Sequence, residues 1–297
     1  MKIQKNNPNM IYYTAEEPTE LLIFMLEQLA PKSRNAIKSM LTRGQFFIEG
    51  KAVTQHNHPL KKGDQVGMLS NKSFKKIETL EGLRILYEDD DIIVIDKDAG
   101  ILSVAGKDHG EATAYRQLMH YVKADHRNNR IFVVHRLDRD TSGVMIYAKS
   151  ESIKEKLQEN WHTIVKERIY TALVEGVVRK PQGKIESWLT ESKTMKVYSN
   201  DYDNGGKHAI THFKKKQNSA NYSLLEVELE TGRKNQIRVH MEEIGHPVAG
   251  DKKYGAKTNP LKRLGLHATT IAFEHPRTGK VVKFSSPAPK GFLKVSR

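Results

Sequence analysis

A chain of 297 residues, 38% hydrophobic and 28% charged, can form one large domain, or a medium domain plus a small module, around a true apolar core. It has no cysteine, which excludes disulfides, iron–sulfur clusters and thiolate zinc sites, and no apolar run long enough to cross a bilayer. Its net charge of +14, from 49 basic and 35 acidic residues spread along the whole chain, favours a polyanionic partner, and the spread favours nucleic acid over an anionic membrane.

In chain order, MKIQKNNPNM has no apolar core behind its basic residues, so no secretion signal is expected and the protein is placed in the cytoplasm. Leu21, Leu22, Phe24, Met25 and Leu29 recur at helical spacing. After Pro31 and Lys32, Ser33 is the expected N-cap of a second helix, with Ile37, Met40 and Leu41 as its apolar stripe and Gly44 at its end. Arg34 and Lys38 share another face of that helix, with Lys32 just before it. By themselves they fit solvated helix charge as well as phosphate contacts. A strand Phe46-Phe47-Ile48 turns at Glu49-Gly50 into Ala52-Val53, and Lys62-Gly63-Asp64 leads to a short strand around Val66. His56 and His58 lie in a surface turn without a third ligand at helical spacing, so no metal site is expected there. Residues 14–72 are thus read as a small domain, and Asn71 to Leu80, lysine-rich, as a linker.

The rest, residues 83–297, mixes strands and helices. Strand-like runs occur at Ile85 to Tyr87, Ile92 to Ile95, Ile131 to Val134, Val144 to Tyr147, Tyr170 to Val174 and Leu224 to Leu229. Helical spacing appears from Glu111 to Val122 and from Ser152 to Trp161. The order is too irregular for repeated strand–helix units, so the expected fold class is α+β with a large mixed, mainly antiparallel sheet. Internal repeats and phosphate-cradling glycine patterns are absent from the sequence.

Three segments carry the chemistry. Between two apolar runs lies His135-Arg136-Leu137-Asp138-Arg139-Asp140-Thr141-Ser142-Gly143, far more polar than a connection needs. Polar groups near a core must be paired, so the loop is either a built site or a structural salt-bridge cluster. In Leu229 to His240, alternation predicts a strand with Gln236, Arg238 and His240 on one face and Ile237 and Val239 on the other. Arg238 then needs an anion, and Asp138 is a candidate. A guanidinium beside a carboxylate keeps it ionised, as an aspartate nucleophile or base requires. In Lys166 to Gly176, Lys166, Arg168 and Tyr170 alternate along a strand; Tyr170 is either a half-buried sheet aromatic or a surface on which a base stacks.

The loop HRLDRDTSG, the stretch TGRKNQIRVH and the segment HPVAGDKKYG resemble the RluA-type pseudouridine synthases, with supporting similarity in ILYEDDDIIVIDKDAGILSVA, KERIYTALVEG and LHATTIAFEHPRTGK. SRNAIKSMLTRGQFFIEGKAVT and PLKKGDQV resemble a small helix-hairpin RNA-binding domain first described in a ribosomal small-subunit protein. The resemblance implies isomerisation of a uridine within RNA without a cofactor. The glycosidic bond breaks, the base rotates, and ribose is rejoined to base carbon 5. It places the catalytic aspartate at Asp138, the stacking tyrosine, which can assist loss of the carbon 5 proton, at Tyr170, and the ion-pairing arginine at Arg238. Arg136 is expected to fill the gap left by the extruded uridine. His135, Arg34 and Lys38 are expected to contact RNA, the last two through phosphates. Asp140 falls where the family is not always acidic and is given a structural role. The family usually has histidine where this chain has Asn235, which argues against essential proton transfer there. Members with such an N-terminal domain often act on large-subunit ribosomal RNA, so that is the expected partner, with transfer RNA as the alternative and the protein a monomer.

Two rivals remain. A nucleoside or glycoside hydrolase would pair Asp138 with Asp140 or Glu175, but arginines crowd this aspartate. A non-catalytic RNA-binding or ribosome-assembly protein would need only the small domain and the charge.

Overall fold

The computed structural model describes residues 10–30, 33–42, 45–69, 80–105 and 112–297. The chain divides into two compact units, residues 1–78 with 123–127, and residues 79–122 with 128–297.

In the first unit, helices Leu21–Gln28 and Arg34–Thr42 precede the hairpin Phe46–Ile48 and Lys51–Val53. Glu49 and Gly50 both take positive φ, as a two-residue hairpin turn requires. Met10–Thr14 and Gln65–Leu69 complete a four-stranded sheet. The anticipated stripes meet in one core of Leu21, Met25, Ile37, Leu41, Phe46 and Val66. The Ser33 hydroxyl caps the second helix by accepting from the Ala36 N–H at 3.3 Å. Pro31, Lys32, Gly44 and all of the expected linker except Leu80 lie outside the described residues.

The second unit is built on an eleven-stranded sheet. Nine strands run in the spatial order Val197–Asn200, Gln182–Glu191, Lys207–Asn218, Tyr222–Leu229, Val165–Glu175, Leu266–Glu274, Ser142–Ala148, Ile92–Lys97 and Leu83–Glu88. Val281–Ser285 joins Leu266–Glu274, and Phe132–Val133 joins Ser142–Ala148. Among the described strands one pairing is parallel: Ser142 and Gly143 face His267 and Ala268. Gly143 has φ 116°, and a Cβ there would stand 2.1 Å from the Ala268 carbonyl oxygen, so glycine alone allows this approach. Helices Ala114–Asp125 and Glu151–Glu159 bury Leu118 and Leu157 in separate apolar clusters of this unit. The expected strand Ile131 to Val134 shrinks to Phe132–Val133, and the first of these helices starts at Ala114; Glu111 lies outside the described residues.

One expectation is overturned. The segment predicted to continue as a strand through His240 is the α-helix Gln236–Glu243. Ile237 and Met241, four apart, pack into the same core as Val227 and Val248. Five alternating residues fit a strand, but the helical repeat shows once Met241 is included.

Candidate active site

The polar loop is pinned from below. Ser103 Oγ donates to the Leu137 carbonyl at 2.7 Å and accepts the Leu137 N–H at 3.2 Å. Lys97, fully buried on the strand Ile92–Lys97, donates from Nζ to the carbonyls of Asp98 (3.0 Å), Ile101 (2.8 Å) and Arg139 (3.1 Å). Burial draws its pKa down to about 8. The Thr141 N–H closes a turn onto the Asp138 carbonyl at 3.2 Å. Leu137 is buried in the core, while Asp138 turns toward Arg238.

Arg238 is held on several sides. It donates from Nε to Asp251 Oδ2 at 2.6 Å and from Nη2 to Asp251 Oδ1 at 2.8 Å, a bidentate pair. Its Nη1 reaches Asn235 Oδ1 at 3.0 Å and Asp138 Oδ2 at 3.3 Å. The guanidinium also lies 5.0 Å from the centre of the Tyr254 ring. Burial alone would lower the Arg238 pKa, but hydrogen bonding and charge from Asp251, then from Asp138, hold it above the ordinary arginine value. Asn235 stands at the helix start with φ 56°, a backbone state asparagine tolerates, and donates to the Tyr254 hydroxyl at 3.0 Å. Its amide is therefore a strut between Arg238 and Tyr254.

Gln236 and His240 do not share a cleft face with Arg238. Gln236 Nε2 donates to the Ile210 carbonyl and Thr211 Oγ1, both at 2.9 Å. His240 sits between Ser187 (2.9 Å) and Thr211 (2.8 Å), with its pKa lowered to about 4 by burial. Both belong to the interior.

Tyr170 stands at a register shift of the strand Val165–Glu175 and packs between two apolar clusters. Burial raises the pKa of its hydroxyl; Arg168 opposes this and the Asp138 charge adds to it. Next to Tyr170 opens a cleft of about 310 Å³ that His135, Arg136 and Trp161 also line. Asp138 and Arg238 do not line it. Arg136 is exposed at this cleft. His135 accepts the Ile146 N–H on Nε2 at 3.1 Å and packs against Trp161, with ring centres 5.1 Å apart. Burial, then the Arg168 charge, draws its pKa down to about 4, so it stays neutral.

Asp138, Tyr170, Arg238, His135 and Arg136 thus lie in one unit; Arg34 and Lys38 belong to the other, Arg34 exposed. Asp140 is exposed and pairs with its neighbour Arg139 at 3.3 Å. Glu175 accepts the N–H groups of Lys257 and Thr258. Both carboxylates are thus engaged by groups other than Asp138. Asp89, Asp91 and His275 have metal-compatible spacing among the described residues, but Tyr87 and Arg277 already bond these carboxylates.

Sequence reasoning missed Asp251, Lys97 and Ser103. Asp251 stands in HPVAGDKKYG, where an acid between apolar and basic residues was a usable signal. Lys97 and Ser103 act on backbone carbonyls, and nothing in residue type announces that.

A carboxylate on a pinned loop, a guanidinium clamped beside it and a half-buried phenol lie together in this unit. The profile of the RNA pseudouridylate synthase family matches residues 91–243. The chain belongs to that family, in its RluA-type branch, and is an isomerase acting on RNA. It is 34% identical over 269 residues to the uncharacterized RNA pseudouridine synthase YlyB of Bacillus subtilis, covering 89% of this chain and 88% of that protein. It is 30% identical to the ribosomal large subunit pseudouridine synthase D of Pasteurella multocida, covering 91% of this chain and 88% of that one. The human RNA pseudouridylate synthase domain containing 4 shares the fold, with TM-score 0.59 and 22% identity over 71% of this chain and 90% of that chain.

Proposed function

We propose that this enzyme converts uridines of large-subunit ribosomal RNA to pseudouridine, with Asp138 as the catalytic carboxylate, Tyr170 as the surface that holds the flipped base and Arg238 as the ion-pair partner of the aspartate. The observation that carries this reading is the 3.3 Å contact of Arg238 with Asp138, the guanidinium being fixed from behind by Asp251. The ribosomal target is supported by relatives named for the large subunit, including the Pasteurella protein.

The basic surface gathers RNA through its phosphates. The target uridine leaves the stack at a cost of a few kcal/mol, least where it is already unpaired. The base then lies on Tyr170 while Asp138 acts on the nucleotide, and Arg238 offers it a fixed positive charge that needs no rearrangement during the reaction.

Asp138→Asn keeps the side-chain shape and removes its charge. It should abolish pseudouridine formation while RNA affinity stays within about threefold, as expected when an interaction acts in the transition state only. A variant with full activity would reject the assignment. Pseudouridine mapping in total RNA from cells with and without the protein tests the target. Sites lost only from transfer RNA would overturn the ribosomal part.

A further inference from the structure

We propose that the cleft beside Tyr170 is a second RNA subsite, one that takes the phosphodiester and sugar of a nucleotide flanking the reacting uridine. The inference rests on the RNA substrate proposed above. The cleft, about 310 Å³ in volume, is lined by the arginines Arg136, Arg168 and Arg233 and, among the described residues, by no carboxylate.

Two of these guanidiniums are aimed by neutral groups. Arg168 Nη2 donates to the carbonyls of Leu229 at 3.0 Å and Glu230 at 2.7 Å. Arg233 Nε donates to the His208 carbonyl at 2.9 Å. Backbone carbonyls fix direction without cancelling charge. Burial draws the Arg168 pKa below its ordinary value, and the Arg233 charge adds to this. Positive groups brought together and left unneutralised are a site for an anion, and guanidiniums bind phosphate through paired N–H donors. Trp161, on the same lining, offers a flat wall against which a sugar or base can pack.

Gly232 lets the arrangement exist. A Cβ at this position would stand 2.6 Å from Arg168 Nη1, and nothing but that flexible side chain is close. Gly232→Ala therefore relocates the guanidinium and leaves the net charge intact.

The test is binding of a fluorescein-labelled oligouridine to the full-length protein, followed by anisotropy across a salt series. Each phosphate contact to a single strand contributes about 0.7 to the slope of log affinity against log salt. Arg168→Gln and Arg233→Gln should each reduce the slope by about that amount and weaken binding about three- to tenfold. Gly232→Ala should weaken binding to a similar extent, and Arg179→Gln, exposed on a loop elsewhere, should leave it unchanged. Thermal unfolding of each variant confirms that it is folded. Wild-type slopes in the folded Arg168 and Arg233 variants would overturn the subsite. So would displacement of the oligouridine by inorganic phosphate at matched ionic strength, which would mark a site for a free anion. Failure of the wild type to bind oligouridine at all would instead sink the RNA reading itself, so the two fail separately.

Discussion

Arg238 shows how one side chain is made into a fixed charge. Its N–H groups make four hydrogen bonds, to Asp251, Asn235 and Asp138, and its flat side meets Tyr254. The bidentate partner is Asp251, whose side chain is 1% exposed, against 33% for Asp138. The less accessible carboxylate therefore holds the arginine, and the more accessible one is left available to substrate. Breaking a buried pair by removing one partner costs about 3–5 kcal/mol, because the remaining charge stays buried. Asp251→Asn should lower the thermal midpoint by several degrees and slow pseudouridine formation about tenfold or more, since Arg238 is no longer aimed. A variant with wild-type midpoint and rate would mean that Asn235 and Tyr254 suffice. Of these four contacts only the one to Asp138 could be anticipated from the sequence. Asp251 is thirteen residues from Arg238, and no local pattern joins them.

At the scale of elements, the Asp138 loop owes its shape to the strand Ile92–Lys97, which lies well before it in the chain. Lys97 replaces water for three carbonyls with one ammonium, and the Arg139 carbonyl among them is adjacent to Asp138. Lys97→Met keeps the volume and apolar stem but leaves those carbonyls without a cation. Because a misplacement of about 1 Å can cost about 10²-fold in rate, turnover should fall by up to that factor. The salt slope of oligouridine binding should not move. A loss of slope with intact turnover would place Lys97 on the RNA surface and not under the loop. Strands with compact apolar runs, such as Ile92–Lys97 and Ser142–Ala148, were legible in the sequence. The longer Gln182–Glu191 and Lys207–Asn218 were not, because polar residues at every second position face outward and resemble loop composition. The helix Gln236–Glu243 was misread for the opposite reason. Its polar residues are buried in hydrogen bonds that a sequence pattern does not reveal.

For the molecule as a whole, the +14 charge pointed to a polyanion, and the α+β class followed from irregular element order. How the strands are ordered did not, since pairing partners lie as far apart in the chain as Ser142 and His267. Two imidazoles held neutral, the buried His240 and the half-buried His135, give the fold an acid limit. His240 and His135 have folded pKa values of about 4, against the ordinary 6.5. Between those values the unfolded chain binds protons that the folded chain does not. The stability they contribute is complete above about pH 6.5 and is lost as pH falls toward 4. The urea midpoint should therefore drop between about pH 7 and pH 5; a midpoint that rises over that interval would contradict the lowered pKa of both rings. Finally, the parallel pairing of Ser142–Gly143 with His267–Ala268, the one such pairing among the described strands, divides the great sheet into two antiparallel halves. Asp138 precedes the first strand of one half; Tyr170 lies in the other, and the Arg238 helix packs on the core of that same half. Two residue pairs of ladder join them, backed by an apolar cluster that holds Ile146 from one side and Ile271 and Phe273 from the other. The residues proposed for the chemistry are thus drawn from both sides of one seam, and the fit of side chains along that seam sets how far Asp138 stands from its proposed partners.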